Sequence, residues 1–232
     1  MGLIKYNNFF QFDERSMKLL LLLSINFFIF FTLYPLSESE NWWCLLAQER
    51  PAQLLYNLFG TVNAYSRIVF RNYIKKMNYH SMLDIPCGLC TEFLGIQHDN
   101  LSIAYTGIDI SPVFIQLAIK KNIPALVGSI EAIPLADSSY DLCYSRHILE
   151  HLPDYKIAVK ELIRVARCEI IIIFSIPLTH TSDSIHHNNF FYLNNYNKKR
   201  LEEYICSFDC IKSIAWQKIN ISEIMLHIYL EK

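Results

Sequence analysis

From residue 81 onward, short apolar runs that stop at polar turns alternate with segments whose apolar positions recur at helical intervals. That alternation predicts parallel β-α-β units. Strands are expected at Met82 to Ile85, Tyr105 to Asp109, Ala125 to Val127, Tyr140 to Tyr144 and Glu169 to Phe174. The last is apolar on both faces, as a central parallel strand should be. Helices are expected near Thr91 to Ile96, from Pro112 to about Lys121, from Asp154 to near Arg167 and from Asn197 to Cys206. Ser111 stands at the N-cap of the second, with Pro112 in its first turn. The stretch through His186, His187, Asn188 and Asn189 reads as a polar loop. Two closing runs, Ile211 to Lys218 and Glu223 to Leu230, alternate more and read as a hairpin, for seven strands altogether.

Upstream the pattern changes. Leu19 to Leu36 carries 18 residues without a charge, which as a helix extends about 27 Å at roughly 1.5 Å per residue. With Trp42 and Trp43 behind it as an interfacial belt, the segment reads first as a membrane anchor. Two other readings compete. Met17 onward has the basic start, apolar middle and small polar end of a secretory signal, and Ser24, Asn26, Thr32 and Pro35 weaken a span in favour of a buried or interfacial helix. Lys5, Arg15 and Lys18 precede the run and only Arg50 follows closely, a bias that would send the main domain out of the cytosol. Residues 41–78 show helical spacing broken at Gly60, which predicts two helices, either packing elements or a lid. Tyr56, Tyr65 and Arg67 matter in the second case.

The division expected is therefore 1–40 as an N-terminal segment, 41–78 as a helical region and 79–232 as the main domain. At 232 residues, with 52% hydrophobic and 19% charged positions, the chain can bury one sizeable core plus an appendage. A net charge of -1 gives no long-range attraction to phosphate backbones, so nucleic acid is not an expected partner. The run Lys198, Lys199 and Arg200 reads as a solvated helix face. Seven cysteines, an odd and scattered set, suit reduced thiols better than a disulfide framework.

The chemistry concentrates between Ser81 and Asp109. One strand stops at Pro86, Cys87 and Gly88, the next at Asp109. In an open α/β sheet the ligand lies outside the carboxyl ends of such strands, where a glycine turn lets backbone approach it and a carboxylate on the second strand can take ribose hydroxyls. The blocks LDIPCGLC, YTGIDIS, IPLADSSYDLCYSRHILEHLPD and ELIRVA occur in that order, with the closing hairpin behind them. Together they resemble class I S-adenosylmethionine-dependent methyltransferases of the type 11 kind, over roughly Tyr79 to Lys232.

The resemblance implies a Rossmann-like α/β fold, a seven-stranded, mostly parallel sheet with a C-terminal β-hairpin, preceded here by the hydrophobic helix and helical lid. It implies S-adenosyl-L-methionine as cofactor, and the expected acceptor is a small molecule or, through the candidate anchor 19–36, a lipid-linked one, in a membrane-associated protein with a cytosolic catalytic domain or else a soluble cytoplasmic one. Asp84 would orient the turn and the methionine moiety, with Pro86, Cys87 and Gly88 forming the turn itself. Asp109 would accept both ribose hydroxyls, Ile110 would flank the adenine, and Ser129 and Ile130 would read its edge. Ser145, Arg146 and His147 follow the fourth strand and would face the methyl group's path, with His147 the candidate base. The turn departs from the family pattern, because Pro86 and Cys90 stand where glycines are common. A catalytically inactive cofactor-binding or scaffold module of the same fold is therefore the alternative.

Two short motifs point elsewhere. His147 to His151 reads H-x-x-E-H, a zinc-protease pattern, yet it follows a strand and no third ligand is evident. Cys87 and Cys90 form C-x-x-C, with no second pair to complete a zinc site.

Overall fold

The computed structural model describes Cys44, residues 61–188 and residues 191–232. The candidate membrane helix 19–36, Trp42, Trp43, Tyr56, Gly60 and the first of the two expected helices lie outside the described residues, as does Asn189. Among the described residues, no helix is long and apolar enough to cross a membrane.

The first described helix, α1, is Tyr65–Ile74. There follow β1 Ser81–Asp84, α2 Thr91–His98, β2 Ala104–Asp109, α3 Pro112–Ile119, β3 Ala125–Val127 and β4 Tyr140–Arg146. After a 3-10 turn at Leu149–His151 come α4 Lys156–Val165, β5 Ala166–Phe174, a two-strand ribbon β6 His187–Asn188 and β7 Phe191–Tyr192, α5 Lys198–Ile205, β8 Ile211–Lys218 and β9 Ile224–Leu230. The main sheet has seven strands in the order β3-β2-β1-β4-β5-β9-β8. The first five are parallel, and β9 enters antiparallel against β5 and β8. This is the Rossmann-like sheet with a closing hairpin that the patterning predicts.

Alternation along the strands divides the core between two faces. Leu83, Ile170 and Ile172 pack with Val159, Leu162 and Leu201 on one side. Met82, Ile171 and Ile173 pack with Phe70 and Ile74 of α1 on the other. Burial on both sides explains why β5 reads as a continuous apolar run.

Some boundaries differ from expectation. Helix α4 stops at Val165 and β5 begins at Ala166, because Ala166 is already extended (φ -71°, ψ 144°) and pairs with Tyr140. The Lys232 ammonium donates to the carbonyls of Ile163, Arg164 and Ala166, taking acceptors that a helix end leaves open. Helix α3 ends at Ile119, two residues early, since Asn122 adopts a left-handed conformation (φ 55°). Ser111 holds the N-cap position of α3 but its side chain does not cap. The polar loop before α5 contains the β6–β7 ribbon, too short to show a period in sequence.

Candidate active site

Register places the carboxyl ends of the parallel strands together. Asp84 is level with Gly107 of β2 and Tyr144 of β4, and Arg146 is level with Ile173 of β5. Beyond these ends lies a cavity of about 520 Å³. One side is formed by Pro86, Cys87, Gly88, Asp109, Ile110 and Ile130, the other by Arg146, His147, Ile148, His151 and Ser175. Ala64 and Arg67 reach it from α1 and its N-cap, so this helix lines the site as well as packing on the sheet. Tyr65 points outward, 59% exposed.

The turn after β1 is built on two left-handed residues, Gly88 (φ 52°) and Cys90 (φ 53°). A side chain at Gly88 would meet nothing within 4 Å, so open space borders the backbone there. Its N–H donates to Asp109 Oδ2 at 2.8 Å, while Ser111 N–H donates to Oδ1 at 2.9 Å. Each carboxylate oxygen keeps acceptor capacity for a ligand. Burial pushes Asp109 up to about 6 against the lowering effect of these two bonds, so it is a carboxylate at neutral pH.

Cysteine at position 90 does not intrude on the cavity. It is fully buried, its thiol 3.5 Å from that of Cys87. The room comes from Gly107 on β2, where a Cβ would stand 2.8 Å from Cys87 Sγ and 3.1 Å from Cys90 Sγ. Cys90 is thus a packing residue behind the turn. Burial, and then Cys90, push the Cys87 thiol far up, which suits an inert thiol and not redox chemistry.

Asp84, Ser129 and Ser145 lie behind the cavity wall. Asp84 is 2% exposed and accepts from Tyr105 O–H at 2.7 Å. Burial and the neighbouring Glu92 charge push it up to about 8, against the Tyr105 bond and the Arg67 charge. Glu92, buried in the first turn of α2, pairs with Arg67 at 2.5 Å and accepts from Tyr144 O–H at 3.1 Å. Ser129 accepts from Glu131 N–H, which folds its hydroxyl into its own loop.

On the opposite wall His147 is held left-handed (φ 55°) at the end of β4. Its Nε2 lies 2.8 Å from Glu223 Oε1, which also accepts from Ser66 Oγ and Arg146 Nη2. Burial and the Arg146 charge push His147 down to about 4, outweighing Glu150 and Glu223, so its ring is neutral at neutral pH. His151 Nδ1 turns instead to the Tyr192 carbonyl, and Glu150 accepts from Ser175 N–H and Oγ. The three members of the H-x-x-E-H motif face different partners, and among the described residues no group of three or more His, Cys, Asp or Glu could hold a metal ion.

Comparison with known proteins places this geometry. A family model described as "Methyltransferase domain" matches residues 83–174. Residues 83–174 are thus similar to a methyltransferase domain. S-adenosylmethionine is the cofactor of its class, as the order of motifs and the seven-stranded sheet imply. The malonyl-[acyl-carrier protein] O-methyltransferase of Serratia marcescens is 30% identical over 96 residues, 40% of this chain and 37% of that protein. The ajmaline N-methyltransferase of Rauvolfia serpentina is 31% identical over 94 residues, 37% of this chain and 32% of that protein. The alignments thus span about a third of the length of these curated relatives. A Burkholderia thailandensis 1,6-didemethyltoxoflavin-N1-methyltransferase, solved with its substrate and S-adenosylhomocysteine, superposes with a TM-score of 0.60 over 85% of this chain and 92% of that one, at 11% identity. That likeness is one of fold.

Sequence reading misses several residues that the structure brings to or behind the cavity. Glu92 follows the turn like any surface acid in a first helical turn. Glu223 lies 76 positions from His147 in the closing hairpin, and Ser175 is one serine past a strand. Only Arg67 carried a signal, through its helical region.

Proposed function

We propose that the chain is an S-adenosylmethionine-dependent methyltransferase acting on a small molecule. The observation that carries this reading is the buried Asp109 carboxylate at the end of β2, tied to the Gly88 N–H across a turn that borders open space. A carboxylate there can accept two ribose hydroxyls in a charge-assisted pair. The site fits the cofactor in other respects. The cavity volume lies in the range of small-molecule sites, Ile110 and Ile130 offer apolar flanks to a base, and Arg67 offers a cation to a carboxylate.

When bound, the cofactor supplies an electrophilic methyl group on a sulfonium. The remaining task is orientation and exclusion of water. Ala64 and Arg67 cover the cavity from above, and His147, Ile148 and Ser175 wall the side from which an acceptor approaches. His147 is a weak base in this setting, so it orients a donor and relays its proton. Because Cys90 faces away from the cavity, the departure at that position does not favour an inactive module.

Calorimetric titration of the full chain with S-adenosylmethionine and S-adenosylhomocysteine tests the reading. Micromolar binding lost in Asp109→Ala supports it, and no binding by a folded chain overturns it. Membrane attachment through residues 19–36 belongs to the same proposal, supported by their uncharged length. Deleting residues 1–40 should move a tagged chain out of the membrane pellet, and unchanged partition rejects the anchor.

A further inference from the structure

A second cleft, of about 500 Å³, opens where the start of α4 meets α5 and the loop before the β6–β7 ribbon. It shares no lining residue with the cavity beyond the strand ends. His151 and Leu152 line that cavity, and the chain then passes to Pro153 and Asp154, which line this cleft. The proposed methyl transfer does not use it.

Tyr155 and Tyr196 are its most buried groups, 5% and 3% exposed. Tyr196 gives its hydroxyl proton to the Leu152 carbonyl at 2.9 Å and accepts from Asn194 at 3.0 Å. The Tyr155 hydroxyl makes no hydrogen bond among the described residues, although its side chain is more than nine-tenths buried. A buried polar group left in that state costs stability until something pairs with it. The charges that bear on this hydroxyl belong to the lining of the cleft. Burial pushes Tyr155 up to about 12, Asp183 and Asp154 add to the rise, and Arg200 opposes them. The hydroxyl is therefore neutral and sits where acids dominate.

The cations stand further out than Asp183, whose side chain is 24% exposed. Arg200, 3.2 Å from Asp183, is 62% exposed, and Lys156, 3.6 Å from Asp154, is 55% exposed. With Glu203 at the rim, three carboxylates face these two cations. The tyrosine rings do not form an open cage. Tyr155 meets Tyr196 and Tyr204 edge-on, with centroids 4.8 and 5.8 Å apart, so the rings pack on one another and leave hydrogen-bond acceptors to do the recognising.

We propose that this cleft is a second binding site, for a primary organic ammonium group. Its N–H bonds would reach Tyr155 Oη and the carboxylates of Asp183 and Asp154, whose oxygens keep lone pairs beyond their present partners. Such bonds are charge-assisted and among the stronger kind. Pro153 and Ile185 offer apolar surface to a short tail. A quaternary ammonium has no N–H to give, and an anion would face the carboxylates. Among the described residues no group of acids, His or Cys could hold a metal ion, so the cation that suits the cleft is organic. The site stands independently of the reading of the first cavity.

The test titrates the full chain, carrying 13C-labelled tyrosine, with butylammonium, butyltrimethylammonium and butyrate, which share one tail and differ in the head. Butylammonium should shift the Tyr155 ring signals saturably and bind about ten-fold more tightly than butyltrimethylammonium, and butyrate should leave those signals in place. Tyr155→Phe removes one oxygen and keeps the ring packing. Followed on the Tyr204 signals, butylammonium should bind that variant about ten-fold more weakly, with the circular dichroism spectrum retained. Equal binding of the two ammonium probes, butyrate bound as tightly as butylammonium, unchanged affinity in Tyr155→Phe, or no saturable shift would each overturn the proposal.

Discussion

Two carboxylates buried on the same face of the sheet show how similar chemistry serves different ends. Glu169, near the start of β5, is 1% exposed and accepts from Tyr73, Tyr79 and His227, the last at 2.7 Å. Asp84, at the end of β1, is 2% exposed and accepts from Tyr105 alone, with Glu92 and Arg67 nearby. The first is satisfied on all sides by groups from α1, the segment before β1, and β9, so it works as a clamp between elements. The second has one hydrogen-bond partner among the described residues, keeps its proton up to about pH 8 and lies behind a cavity wall, where a nearby positive group would favour its ionised form. A buried acid that the protein satisfies fully is structural, and one that it leaves short beside open space marks a site.

The contrast can be broken most sharply from the structural side. Glu169→Ala should cost about 4 kcal/mol in a urea unfolding curve, because it strands the buried His227 and two half-buried tyrosine hydroxyls. The affinity of the remaining folded protein for S-adenosylhomocysteine should be unchanged. A loss of affinity without loss of stability would reverse the roles assigned here.

Asp109→Ala should do the opposite. Two charge-assisted hydrogen bonds to a ligand are worth about 3 kcal/mol together, so affinity should fall about 100-fold by calorimetry. The circular dichroism spectrum should be retained. In the unaltered chain the same affinity should decline as pH drops below about 6, where Asp109 takes up a proton and loses acceptor capacity.

Gly107→Ala probes the packing behind the turn. A methyl 2.8 Å from Cys87 Sγ must displace the thiol pair, at a cost of about 2 kcal/mol. Combining it with Cys87→Gly should recover most of that loss, and no recovery would show that the thiols are not what Gly107 accommodates.

The smallest effect belongs to Asp84→Asn. Asp84 titrates near 8 in the folded chain against an ordinary 3.8, so between these values the native state binds a proton that the unfolded state has released. Its contribution to stability therefore falls as pH rises through that window. Denaturation midpoints from pH 6 to pH 8 should drop less steeply in the asparagine variant than in the parent, and equal slopes would show that Asp84 is not the group responsible.

Much of this was legible before any coordinates. Apolar runs closing on polar turns located the strands of the main sheet, since strand burial and turn chemistry are local properties that leave a period and a stop. The turn side of the cavity was readable for the same reason. Pro86, Gly88, Asp109 and Ile110 sit at strand ends, and strand ends in a parallel sheet converge wherever the chain goes in between. Short features without a period, such as the β6–β7 ribbon, were not readable, and helix ends set by Lys232 or Asn122 were displaced by a few residues.

What the tertiary structure alone decided is the other half of the site. Nothing near His147 in sequence states that Glu223 will hold its Nε2, that Glu150 will take the proton of Ser175, or that Gly107 will make room for Cys90. These pairings join segments separated by 17 to 76 positions, and each depends on which residues the sheet order and register bring level. Residue type and spacing determined where a cofactor could lie. Only the packing of distant segments determined which atoms line the other wall of the cavity, because a hydrogen bond's direction is set by the partner, and the partner is chosen by the fold.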